Sequence, residues 1–376
     1  MKILGLCSYP IESAATRYRL MQFVQPLAAR GIELTVRPFL SSAAFKTFYE
    51  RGKITQKLQD VLIAGWQRSA YTLKARNYEA VVVQREAMFL GPPIFEWLLM
   101  RIGKLPLILD LDDATYIRYV SPTYGKIGSA LKFFGKTDYL IKSAAAVVCG
   151  NEFIAEYAKK LGARVVTVVP TVADTDKFCP AEKNNSIPIL GWVGTHSTFP
   201  FLAMILPALK QLALNYQFKL KIVGAGSAAR DQTDVTGLAV EWTEWQLERE
   251  IGDFQSFDIG LYPISVSDSA NQQWLMGKSG FKAVQYMSIG IPFVMTPIGV
   301  CAQMGEEGKT HFAARVEADW IEKLSLLLTS PELREKVGRA GRKYALKHFT
   351  IEQQADKLKE VLFEVIKSSS PTRSQF

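Results

Sequence analysis

From residue 2 to residue 169 the chain alternates two textures. Short runs of almost unbroken apolar residues alternate with longer stretches whose apolar positions recur every three or four residues. The first texture predicts strands at 2–8, 33–39, 80–84, 105–111, 145–149 and 165–169. The second predicts helices at 16–29, 93–102, 126–143 and 152–161, with a basic helical region over 45–77. The polar, turn-rich Lys183-Asn184-Asn185-Ser186 interrupts the alternation, which then restarts. Strands are expected at 187–193, 220–223, 240–243 and 259–262, and helices at 199–216, 245–254, 317–328, 331–347 and 352–366. Strands that are apolar on both faces belong to parallel sheets covered by helices on both sides. The expected fold class is therefore α/β, with two doubly wound Rossmann-like domains in series. The first is expected over residues 1–185 and the second over 186–349, with 350–376 a terminal helix and polar tail. Two such domains facing across a cleft would bind ligand at the carboxyl ends of their strands.

At 376 residues and 48% hydrophobic content, two cores can be filled. The net charge of +9 favours anionic partners: nucleotides, nucleic acid or acidic lipid. Nucleic acid ranks last, because the basic residues are scattered and no recognition motif appears. The four cysteines, Cys7, Cys149, Cys179 and Cys301, lie far apart, and there are three histidines. No zinc site is expected, and a reducing cytosol fits. The N-terminus enters a strand without a signal peptide's apolar core, and no uncharged apolar run is long enough to span a membrane. The expectation is a cytoplasmic protein, peripheral on the inner face of the cell membrane. The basic, aromatic stretch 124–141 is a candidate for that contact, and a sheet-covering helix with a solvated lysine face fits it equally.

The chemistry concentrates in 277–300, read as a glycine-containing loop, a short helix, a Gly-Ile-Pro break and a strand. A helix start beside Lys278 and Lys282 suits an anion such as a diphosphate. Lys282 and Gln285, three residues apart, share a helix face. An ordinary amphipathic helix before a buried strand fits the same spacing. Gly277-Lys278-Ser279 is not the end of a P-loop, because Gln272 stands where the first glycine of that motif belongs. Loops after the other strands supply Arg17 or Arg19 as phosphate or carboxylate partners, and Arg85 with Glu86. Asp110-Leu111-Asp112-Asp113 is a cluster in which one raised pKa would suit a base or an acceptor-hydroxyl contact. A divalent metal or a helix cap would be rival uses. Gly194-Thr195-His196-Ser197-Thr198 offers small hydroxyl residues and free N–H groups as a second anion cradle.

In order along the chain, Gln84-Arg85-Glu86, Asp110–Ala114, Gly150-Asn151, Pro170-Thr171, Gly191–Gly194, Phe257–Pro263 and 277–300 resemble the glycosyltransferase family 4-like proteins of the GT-B fold. The resemblance implies a hexosyltransferase-type enzyme. A nucleotide-sugar donor would sit on the second domain and a surface polysaccharide, glycolipid or glycan acceptor on the first. Transfer would retain anomeric configuration, with no metal and no cofactor beyond the donor. By position, Gly194, Thr195, Lys278, Ser279, Gly280 and Phe281 would meet the diphosphate, and the side chains of Lys282 and Lys278 would neutralise it. Gln285 stands where relatives carry a glutamate that contacts the ribose, and Gly277 where they carry another, eight residues earlier. Asp112 and Asp113 occupy the region near the reacting carbon, with Arg17, Arg85 and Glu86 on the acceptor or phosphate side. The terminal helix would return to the first domain. The two missing glutamates motivate one alternative, a non-catalytic sugar-nucleotide or glycan-binding partner of another transferase, and a sugar-nucleotide epimerase of the same two-lobed shape is another.

Overall fold

The computed structural model describes residues 1–48, 52–118, 125–183, 185–265 and 272–369. Tyr124, Asn184 at the expected boundary and the tail 370–376 lie outside the described residues. Two parallel six-stranded sheets form. The first contains β1 (Lys2–Cys7), β2 (Glu33–Pro38), β3 (Ala80–Gln84), β4 (Leu107–Leu111), β5 (Ala146–Cys149) and β6 (Val166–Val168), in the order β2-β1-β3-β4-β5-β6. The second contains β7 (Ile189–Val193), β8 (Lys219–Val223), β9 (Ala239–Thr243), β10 (Ile259–Tyr262), β11 (Phe293–Met295) and β12 (Phe312–Ala313), in the order β12-β11-β10-β7-β8-β9. Their central strands are apolar and buried on both faces, as helix-covered parallel sheets require. Leu4, Leu6, Val81, Val83, Leu107 and Leu109 build one core, and Leu190, Trp192, Leu220, Ile222 and Leu261 the other.

The first compact unit comprises Met1–Thr171, Gly277–Ser279 and Ile351–Phe376, and the second Val172–Met276 and Gly280–Thr350. The terminal helix Ile351–Ser369 lies in the first unit, where Asp356 accepts from Nε of Arg30 at 2.6 Å. Within each unit the strand order reverses once. In the first, the loops after β1 and β3 diverge. In the second, those after β7 and β10 do so. Ligands of doubly wound sheets settle in such crevices.

Several long helices expected from periodicity are broken. The 126–143 stretch forms Gly125–Leu131 and Gly135–Ser143, separated by Phe133 in the left-handed region at φ 53. Lys136 turns inward: it is 4% exposed, reaches Glu86 at 2.6 Å and donates to the Met88 carbonyl. This stretch is therefore not a continuous lysine-faced helix. The 199–216 stretch splits into Phe199–Ala203 and Leu206–Ala213, where Pro207 lacks the N–H needed to continue the first.

Candidate functional site

The carboxyl edge of the first sheet gathers two arginine–aspartate pairs. Arg85 directly follows β3 and holds a left-handed backbone at φ 60, anchored by its amide to the Asp110 carbonyl. Its Nε donates to Oδ1 of Asp112 at 2.6 Å, and its Nη2 to Oδ2 at 2.7 Å and to Oδ2 of Asp113 at 2.8 Å. Gln84 adds a bond to Asp112 Oδ1 at 3.0 Å. Arg19, also buried, forks onto both oxygens of Asp110 and donates to the Val169 carbonyl. Burial by itself would raise the pKa of Asp112, but the Arg85 charge and hydrogen bonds hold it below the usual carboxylate range. Asp110 goes the other way, pushed up mainly by burial against the pull of Arg19. The raised pKa expected of the cluster therefore falls on the sequestered Asp110. Asp112 is an ionised anchor and not a base near neutral pH. Asp113 is half-buried.

Two other expected residues serve the protein itself. Arg17 donates from Nη1 to the carbonyls of Ile11 and Glu12, bracing the loop after β1. Glu86 is committed to Lys136. Gly277, Lys278 and Ser279 count with this unit, and Asn151 explains how they are held. Its Nδ2 donates to the carbonyls of Gly277 and Lys278 at 3.1 and 3.2 Å, while its Oδ1 caps the helix Glu152–Lys160. A Cβ at Gly277 would stand 2.3 Å from Cβ of Ala114. No side chain fits there as the backbone stands, which accounts for the missing first glutamate.

In the second unit the helix Phe281–Ile289 is seated by paired glycines. Gly191 and Gly260 face each other in register across β7 and β10. A Cβ on Gly191 would meet the Phe257 ring at 2.0 Å, and one on Gly260 the Tyr286 ring at 2.7 Å. The Tyr286 hydroxyl lies 3.1 Å from both the Gly191 and Leu261 carbonyls. The helix begins after Gly280, whose φ is 65 and whose absent Cβ leaves room for Val300. Gly280 has no side chain with which to cap this start, and no acid lies in its first turn. Lys282 occupies that turn, its Nζ 5.0 Å from the centre of the Phe254 ring. It donates to Oε1 of Gln285 at 2.9 Å. The shared face expected from the spacing is thus present. Gln285, however, is fully buried, so its side chain is not a surface acceptor for ribose hydroxyls.

The loop after β7 differs from expectation in which amides it offers. The Gly194 amide donates to the Val223 carbonyl, and the Thr195 amide to Oγ1 of Thr198 at 3.0 Å. Among the described residues the amides of His196 and Ser197 have no partner, and both residues are exposed. A Cβ at Gly194 would lie 2.2 Å from Cζ2 of Trp192, so glycine is required there. No group of three or more His, Cys, Asp or Glu placed to hold a metal ion occurs among the described residues.

Residues 187–330 match the family described as Glycosyl transferases group 1. The matched residues lie in the second unit, apart from Gly277–Ser279. Sucrose-phosphate synthase from Thermosynechococcus elongatus superposes with a TM-score of 0.69 at 14% identity, over 98% of this chain and all (100%) of that one. Anabaena HepE, solved in complex with UDP-glucose, gives 0.65 at 14% identity over 97% and 100%. The lipopolysaccharide outer core galactosyltransferase WaaB gives 0.58 at 12% over 97% and 99%. None of the curated proteins compared with the chain matches it. Superposition along the whole chain shows the GT-B fold, and the family 4-like resemblance read from its motifs is borne out.

Proposed function

We propose that the chain moves a hexose from a nucleoside-diphosphate donor to a glycan or lipid-linked acceptor of a surface polysaccharide or glycolipid, with retention and without a bound metal. The observation that carries this is the start of the helix Phe281–Ile289. A helix N-terminus bears partial positive charge, and an acid in the first turn usually complements it. Here the first turn carries Lys282 and no acid. The chemistry of this start suits a bound anion such as a diphosphate. As the bond from the sugar to the diphosphate breaks, charge grows on the departing phosphate, where fixed dipoles and Lys282 lower the barrier most. The exposed His196 and Ser197 amides are assigned to the same phosphates, in place of the Gly194 and Thr195 amides. On the acceptor side we assign Arg85 and the half-buried Asp113 to the sugar hydroxyls.

The HepE structures in complex with UDP and with UDP-glucose support a uridine nucleotide as the first choice. A thermal-shift screen against UDP, GDP and their sugars tests binding, since a ligand of the native state raises the melting temperature. Release of nucleoside diphosphate from the recognised donor then tests turnover. No shift with any nucleotide at millimolar concentration would defeat the proposal. Binding without turnover on any acceptor would leave a non-catalytic sugar-nucleotide receptor, and a change of sugar in free donor would mark an epimerase.

A further inference from the structure

The helix Ile54–Leu73 of the first unit carries an apolar stripe that the unit does not cover. Ile54, Leu58, Leu62, Trp66 and Leu73 recur at helical spacing on one side and are 72, 59, 72, 79 and 81% exposed. Thr55, Gln59 and Ser69 lie between them, so the stripe bears no charge. The opposite side is firmly seated. Ala64 and Arg68 are buried, and Nη2 of Arg68 donates to the carbonyl of Cys7, the last residue of β1, at 2.9 Å. The guanidinium also lies 5.9 Å from the centre of the Phe39 ring. That anchor ties the helix to the carboxyl edge of the first sheet, where β3 and β4 deliver Arg85 and Asp112.

We infer that this face docks on an anionic lipid bilayer. Large apolar side chains grouped at such exposure mark an interaction surface. The charges around the stripe identify the partner. Lys53 precedes the helix, and Lys74 and Arg76 follow its end, against Asp60 as the one acid from 52 to 76. An uncharged stripe with cations at both ends of its helix suits the headgroup region of an anionic membrane, with the apolar side toward the acyl chains. A second copy of the chain is the poorer occupant, because a two-fold contact through this face would bring the same cations together. Docking would hold the carboxyl edge of the first sheet beside the membrane, within reach of an acceptor whose lipid tail stays in the bilayer. The inference stands on this face alone and does not require the donor reading above.

The test is co-sedimentation of the full chain with vesicles of phosphatidylcholine, with and without phosphatidylglycerol, alongside the double variant Leu62→Ser, Trp66→Ser and the pair Lys74→Glu, Arg76→Glu. Sedimentation velocity of each protein gives its oligomeric state. The parent should pellet with the anionic vesicles and remain in solution with phosphatidylcholine alone. Both variants should bind at least tenfold less while keeping the parent melting temperature. Equal binding of parent and double variant would overturn the inference. So would a parent that ignores anionic vesicles, or one that is a dimer which the double variant splits.

Discussion

Nζ of Lys282 donates to Oε1 of Gln285 across 2.9 Å, one helical turn apart, and Gln285 has no surface of its own. The amide therefore acts on a ligand only through the lysine it positions. Removing Lys282 takes a cation from the helix start, whereas removing Gln285 takes only one of its acceptors. Charge-assisted hydrogen bonds are worth about 1.5–3 kcal/mol. Lys282→Ala should accordingly weaken UDP or GDP binding by about tenfold or more, with a smaller loss for Gln285→Asn. Titration calorimetry checks the ranking, and an unchanged affinity in Lys282→Ala would remove that lysine from the site.

Restoring the first motif glutamate should harm the protein. Gly277→Glu puts a Cβ 2.3 Å from that of Ala114, on a loop whose carbonyls Asn151 fixes. Overpacking of this kind costs about 1–3 kcal/mol. Urea unfolding should show that loss in Gly277→Ala as well, and Ala114→Gly should recover part of it in the double variant. If the two substitutions simply add, the proposed clash is not the reason glycine stands at this position.

The legibility of this chain follows the range of the interactions involved. Buried parallel strands write long apolar runs, so β3 and β10 end where the runs end, and the restart of alternation after residue 185 reveals the second sheet. β12 has two residues, too few for any run to register. The spacing of Lys282 and Gln285 establishes a shared face because that is a local property. Complete burial of Gln285 depends on how closely the helix approaches the sheet, which Gly191 and Gly260 decide from elsewhere in the chain. Likewise Arg85, Asp112 and Asp113 are recognisable as charged loop residues, but their pairing needs β3 and β4 to be neighbours. Lys136 looks like a solvated helix residue until Glu86 is placed beside it.

Asp112 predicts an acid-sensitive anchor. Its folded pKa is depressed by Arg85, so its contribution is complete above the unfolded carboxylate value of about 3.9 and fades as pH falls through the lower folded value. Asp112→Asn should cost about 1.5–3 kcal/mol near neutral pH, because Arg85 loses its two charge-assisted bonds to Asp112 and keeps only Asp113 as a charged partner. The difference in melting temperature between parent and variant should then shrink as pH falls below about 4. A gap that stays constant across this range would show that the Arg85–Asp112 pair is not what the variant removes.

The seat of the donor helix is the last place where stability and function separate. Tyr286 is fully buried, and burial pushes its phenol pKa up, so the hydroxyl stays protonated and can donate to the strand carbonyls. Tyr286→Phe keeps the ring under Gly260 and removes that hydroxyl, a loss of about 1 kcal/mol. Gly260→Ala instead drives a methyl toward the ring, 2.7 Å away, and must lift the helix or distort β10. Both variants should melt lower than the parent. Only Gly260→Ala should also weaken nucleotide binding markedly, since it displaces Lys282 and the helix start along with the ring. Equal affinity in the two variants at a temperature where both are folded would mean that the helix start does not hold the nucleotide.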